Sequence, residues 1–527
     1  MPAEPIPESM WKLLSLAMVQ PLPGKAPHIL SFANSNLCSK KLKCKRLGTS
    51  AGARRSVMSA YKFPPGPRAV PIFGNSLAYR KDRLGYLTKL YEDYGPAATM
   101  RLGTADAVQL CKPTAIREVF VDKADKFGNR DVMLNMPLIM GDLPFARGAL
   151  TPKAMIDKCC GCATETSLLA LEGELHDSQR NAMLKAFHGP ALDKYREIMI
   201  SQTDRALDEW EAGGEEIELT HETQALTASI LFKTLFGVDI QDQSHHIVKA
   251  YRHIVSHSKS PFRPHSKDSE WEQLMTVVNK IVADAAARNA RYADPNSTML
   301  IDLILRSAPG GHDGELVRGL VLFFMAAGHV TVSGAIIWAF GLLAKHPEVL
   351  AKVTEELQTV LNGDAPGITD LPKLTYLDWV VKETLRLYPP VWVHFRRALE
   401  DVQVDGWHLP KGTFVLFSQW VTHRAKEYFE RPNEFIPERF ANKGEYLHTP
   451  GAYYPFGIGH RACLGTGFTM LETKIVLART LQRFKPTLLD HKELEYADHY
   501  VLLQPKGKVR MNLKVLPKRR APEMVPA

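Results

Sequence analysis

Phe456-Gly457-Ile458-Gly459-His460-Arg461-Ala462-Cys463-Leu464-Gly465 is the stretch on which the fold turns. Gly457 and Gly459 permit a tight backbone, and Gly465 removes the side chain where the chain passes just beyond the cysteine. Phe456 is placed to shield the sulfur. An apolar-patterned helix beginning near Leu464 would aim its positive N-terminal end at Cys463 and favour the thiolate, and a bound metal would deprotonate the thiol outright.

Two motifs upstream stand in a telling order. Glu383-Thr384-Leu385-Arg386 lies on a helical stretch where three-residue spacing puts both charges on one face. Pro437-Glu438-Arg439-Phe440 follows it, and then comes the cysteine loop, which fills the pattern F-x-x-G-x-R-x-C-x-G at all five defining positions. In these three motifs the chain resembles the cytochrome P450 family, over nearly everything from about Tyr61 to Lys514. The resemblance implies the cytochrome P450 fold, mainly α with a smaller β-sheet region. It implies haem b, iron protoporphyrin IX, with Cys463 as axial thiolate and Phe456, Gly457, Arg461 and Gly465 about it. A thiolate ligand pushes electron density onto iron and promotes O–O cleavage. Glu383, Arg386 and Arg439 are implied as a structural triad, scaffolding rather than chemistry.

Haem propionates need cations or hydrogen-bond donors, and the bidentate fork of arginine suits them. Arg461, Arg396 on the strand-like segment after the Glu-Arg helix, and His176 with Arg180 on one helical face match family anchor positions. Many relatives carry a Trp-Arg pair at the last site, and here Asp177 takes the place of that arginine.

Gly319 to Leu343 is nearly continuous apolar sequence, long enough to span a membrane. A buried central helix is the better expectation, because Ala326, Ala327 and Gly328 are followed by His329, Thr331 and Ser333, which lipid gives little reason to carry. Ala327-Gly328-His329-Val330-Thr331 resembles the family's oxygen-activating motif, in which Thr331 works with a preceding acid that relays protons. Val330 holds the acid's place and can neither carry nor position a proton. His329 does not replace it, since adjacent helical residues point about 100° apart. The natural protein is therefore expected to couple electrons to product less efficiently than a Val330→Asp variant.

The resemblance implies a monooxygenase inserting one oxygen atom of dioxygen into a small lipophilic substrate. Its electrons would come from a separate reductase or ferredoxin, with NADPH acting only through that partner, since the short run after Cys463 leaves no room for a fused reductase. Two alternatives stand: a haem-thiolate isomerase or dehydratase acting on hydroperoxides, and a non-catalytic haem-binding protein. Apolar positions around Phe324, with Val391, Val393 and Phe395, are candidates for the substrate wall, although core packing explains them equally.

The rest of the chain bounds these expectations. With 45% hydrophobic and 23% charged residues it can build a large core. The net charge of +9 comes without an interleaved basic and aromatic array, so nucleic acid is not expected. A basic face suits an acidic electron-transfer partner or an anionic membrane surface in peripheral contact. Seven cysteines without regular spacing describe no disulfide framework, and Cys159, Cys160 and Cys162 have no second cluster at zinc spacing. From Ser9 to Lys81 there is no Asp or Glu. Residues 1–60 thus read as a basic leader that targets a mitochondrion or plastid, with a disordered leader or a segment at the endoplasmic reticulum surface as alternatives. Residues 61–520 form the catalytic domain and 521–527 a tail. Phe63-Pro64-Pro65-Gly66-Pro67 is a stiff hinge. Arg83 to Tyr94 reads as an amphipathic helix, Ala98–Gly103 with Ala107–Leu110 as a hairpin, and Arg130 to Thr166 as loop and short helices.

Overall fold

The computed structural model describes residues 63–134, 140, 167–214, 216–240, 243–257, 269–292, 294–308, 315–441, 449–489 and 494–517. These belong to one compact unit, Ala60–Ala527. The cluster Cys159, Cys160 and Cys162, the leader to residue 62 and the tail 521–527 fall outside the described residues.

The apolar run becomes a helix from Glu315 to Lys345. Its most apolar window is 83% buried by protein, so it is a core helix rather than a membrane span. It ends at His346-Pro347, where Pro347 opens the next helix, Pro347–Leu361. Around it pack the helices Leu219–Leu231, Thr375–Leu387 and Thr466–Arg483, whose buried Leu, Ile, Val and Phe side chains join one hydrophobic cluster. Gly328 lies at the first contact: a β-carbon there would stand 1.9 Å from Leu231 Cδ1, a methyl that would have to turn aside. Across the same contact Thr227 Oγ1 donates to the His329 carbonyl at 3.2 Å.

The sheet is small and built from distant segments. Its five strands run in the order Ala97–Leu102, Ala105–Leu110, Phe414–Ser418, Val393–Ala398, Phe127–Gly128. The hairpin expected near residue 98 is its first pair, and Ala105–Leu110 then runs parallel to Phe414–Ser418. The prolyl hinge lies along the first strand, with Thr99 N–H donating to the Pro65 carbonyl at 2.7 Å. A β-carbon at Gly66 would sit 1.9 Å from the Thr99 oxygen, which explains the glycine between prolines.

Behind the cysteine loop the acid-base triad is fully assembled. Glu383 accepts from Arg386 Nε at 2.7 Å and Nη2 at 2.9 Å, and from Arg439 Nε at 2.9 Å. The side chains of Glu383 and Arg386 have no exposure at all. Arg386 spends its remaining donors on the carbonyls of His423, Pro432 and Glu434. A buried ion pair holds only when its leftover donors are satisfied in this way.

Candidate active site

The loop from Phe456 to Gly465 closes on itself through backbone bonds. Gly457 N–H donates to the Tyr454 carbonyl, Ala462 N–H to Gly459, and Cys463 N–H to Phe456, at 2.9, 3.0 and 2.9 Å. Gly457 (φ 69°) and Gly459 (φ 75°) occupy the left-handed region. At Gly459 a β-carbon would stand 2.2 Å from the Phe120 carbonyl oxygen. The helix after the loop runs Thr466–Arg483 with Gly465 as its N-cap, two residues later than Leu464. Cys463 is open to the cavity by surface area, yet the protein packed round it pushes the thiol up, while the Gly465 N–H, the Arg180 charge and Thr466 draw it down.

Cys463 opens into a cavity of about 360 Å³ whose opposite wall is the central helix at Ala327, Gly328 and Thr331. Leu231, Phe323, Phe324, Val391, Val393 and Phe395 give that space an apolar lining, and Phe324 stacks on Phe187 at 5.8 Å. Val393 and Phe395 also belong to a hydrophobic core cluster. The Thr331 hydroxyl donates to the Ala327 carbonyl at 2.7 Å, so its lone pairs are free.

The expected anion anchors His176, Arg180, Arg396 and Arg461 all border this one cavity. Arg396 Nη1 donates to Asn129 Oδ1 and to the Phe395 carbonyl, each at 2.7 Å, with its guanidinium 4.4 Å from the Phe120 ring centre. Arg461 donates to the Leu171 carbonyl at 2.8 Å. Asp177 turns outward and accepts from His176 Nδ1 at 2.8 Å, which fixes the ring rather than replacing an arginine in the cavity. Arg180 has no hydrogen bond or ion pair among the described residues.

Electrostatics agree with that arrangement. Burial, aided by Arg461, pulls Arg396 down to about 9, and burial lowers Arg180, Arg461 and His176 as well. Cations held together without enough counter-charge need an anion between them. His394 borders the same space, and its buried Nε2 has no hydrogen-bond partner among the described residues. A dianionic, flat, largely apolar cofactor therefore fits: acid groups against the basic rim, ring between Cys463 and the central helix, as haem b requires.

Two of the expected site residues stand behind the wall rather than in it. Gly457 shapes the loop from outside the cavity, its β-carbon position 3.5 Å from His394 Nε2. Val330 is turned from the cavity and packs with Ala326 and Leu502. His329 also points elsewhere: its Nδ1 bonds the Met325 carbonyl, and burial lowers it to about 4, so it is neutral near pH 7. Sequence reasoning missed Asn129, His394 and Tyr500 as wall residues. His394 was within reach, since it lies two positions before Arg396 on a strand and shares its face. Asn129 and Tyr500 arrive from remote segments and carried no signal.

The chain matches the family described as cytochrome P450 over residues 64–139 and 148–512. It is 28% identical over 433 residues to cyclooctat-9-en-7-ol 5-monooxygenase of Streptomyces melanosporofaciens, covering 80% of this chain and 88% of that one. To pentalenene oxygenase of Streptomyces avermitilis it is 27% identical over 444 residues, covering 82% and 93%. Among solved structures, retinoic acid-bound cyanobacterial CYP120A1 superposes with a TM-score of 0.72 at 25% identity, covering 86% of this chain and all of that one.

Proposed function

Because the chain belongs to the cytochrome P450 family, we propose that the cavity between Cys463 and Thr331 holds haem b and receives a small lipophilic substrate of terpenoid character, with electrons from a separate reductase or ferredoxin. The enzyme is a monooxygenase, an oxidoreductase that incorporates oxygen from dioxygen. When bound, the haem supplies oxygen activation for insertion into an unactivated bond. Cys463 would give its thiolate to the iron, and Arg180, Arg396, Arg461 and His176 would hold the carboxylates by charge-assisted hydrogen bonds. Phe456 and the closed loop bound the cavity beside Cys463.

Thr331 is the polar group of the central-helix wall, able to order a water and pass on its proton, and Val330 adds nothing to that relay. The Phe, Leu and Val wall supports an apolar substrate. The terpenoid choice rests on the two relatives named for cyclooctat-9-en-7-ol and pentalenene. Thr331 in the wall favours the electron-driven reaction over a hydroperoxide isomerase or a non-catalytic haem carrier. NADPH enters only through the redox partner.

We place the protein in an organelle, mitochondrion or plastid, on the basic leader, which carries no Asp or Glu from Ser9 onward, with the endoplasmic reticulum surface as the alternative. Exposed Val70, Ile72, Phe73 and Leu77 beside Arg80 and Lys81 support peripheral membrane contact.

The observation that carries the reading is one cavity bounded by Cys463, Thr331 and four anion anchors. The reduced, carbon monoxide-treated protein should show a strongly red-shifted Soret band that Cys463→Ala lacks. With a surrogate reductase, NADPH and a cyclic sesquiterpene or diterpene, oxygenated product should then appear. Identical spectra for both proteins would end the thiolate assignment, and oxidation confined to non-terpenoid lipids would end the substrate one.

A further inference from the structure

Away from the cavity, three metal-binding side chains converge where the helix Leu219–Leu231 meets the start of the helix Ser244–His257. They are His221 and Glu222 on the first and His245 on the second, with one donor atom of each within 4.8 Å of the others. The two imidazoles stack with ring centres 4.6 Å apart, and His221 Nδ1 is 3.6 Å from Glu222 Oε1. The carboxylate is already oriented, because Trp210 Nε1 donates to Oε2 at 3.0 Å and leaves Oε1 toward His221. Beyond these contacts neither imidazole has a hydrogen-bond partner among the described residues.

We propose that His221, Glu222 and His245 form a second metal site, which takes a zinc-like divalent cation with water in the fourth position. Two imidazoles and one carboxylate are the donor set of an open tetrahedral site, whereas calcium and magnesium prefer oxygen donors throughout. Donors of a tetrahedral zinc ion lie about 3.3 Å apart, so the widest pair must close by roughly 1.5 Å. Partly exposed His221 and exposed His245 make that movement by side-chain rotation. Trp210 acts as the outer partner that aligns a ligating carboxylate. A small cleft bordered by Trp210, Glu222, Ser244 and His245 leaves room for the water.

The ion would join two helices that meet beside the core. Ile247, two residues after His245, borders a small pocket with Met325 and His329 of the central helix, so a clip at His245 steadies a helix that reaches the central one. None of the three ligands borders the Cys463 cavity, and the site is independent of haem.

The test uses the full haem-loaded chain equilibrated with buffered, low-micromolar free Zn²⁺. Bound zinc per chain is read by elemental mass spectrometry for the parent, His221→Ala, His245→Ala and the neighbouring control His246→Ala. The parent and the control should hold one equivalent more than the other two, and zinc should raise their thermal midpoints alone. In the unsubstituted protein, zinc should also protect His221 and His245 from carbethoxylation mapped by peptide, a readout that survives if a variant fails to fold. Equal zinc in all four proteins, or equal modification with and without zinc, overturns the site.

Discussion

The charge of the cavity and the packing behind its wall rest on four single residues. Arg180 borders the cavity without a hydrogen-bond or ion-pair partner among the described residues, so Arg180→Leu should leave the apoprotein's thermal midpoint unchanged while haem transfer to a scavenger protein speeds up roughly ten- to a hundred-fold, the worth of a charged hydrogen bond. Unchanged transfer would remove Arg180 from the anchoring set. Val330 is packed against Leu502, so Val330→Asp should cost about 1–3 kcal/mol in stability by burying a carboxyl. Because this side chain points away from the cavity, hydrogen peroxide released per NADPH consumed should match the natural protein's in the same variant, and a clear fall would show that an acid at this position does serve the relay. His329 is held near 4 and His394 near 3, chiefly by burial, against an ordinary value near 6.5. Both are buried neutral, so their contribution is complete above pH 6.5 and lost as acid charges the unfolded chain first. Each then costs up to about 1.4 kcal/mol per pH unit between 6.5 and its folded value. The midpoint of thermal unfolding should drop steadily from pH 7 to pH 4, with a shallower slope in His329→Gln.

At the scale of elements, what could be foreseen followed local chemistry. The helix Arg83–Tyr94 spans the stretch its apolar spacing marks, the hairpin was equally legible, and the long central helix followed from its nearly unbroken apolar run. Orientation was less so. Val330 was singled out by its position in a motif, yet a one-residue step along a helix turns a side chain away from the cavity, and only packing against Leu502 reveals which way. The same limit hid Tyr500 and Asn129, which come near Cys463 through tertiary folding alone. The cysteine loop was legible because its glycines answer backbone demands. Gly459→Ala meets both a positive φ and a carbonyl at 2.2 Å, so it should cost about 2 kcal/mol or more and lower haem content on purification. Full haem loading with an unshifted midpoint would mean that the loop has slack.

Across the whole molecule, the buried triad ties the helix Thr375–Leu387 to the segment 423–439. Glu383→Ala strands two guanidinium groups in the interior and should destabilise by about 3–5 kcal/mol, measured by denaturant titration of the haem-loaded protein. A loss below about 1 kcal/mol would show that carbonyl partners alone suffice. The five-stranded sheet has a different consequence, one of timing. Ala105–Leu110 waits for Phe414–Ser418, more than half the chain later, before its parallel edge is covered. During synthesis on the ribosome an apolar hairpin with an open edge is therefore presented for as long as the intervening helices take to emerge. Pairings this remote in sequence fold slowly, and an uncovered edge recruits other chains. Recombinant yield should then depend on chaperones and slow expression at low temperature far more than on the stability of the finished enzyme.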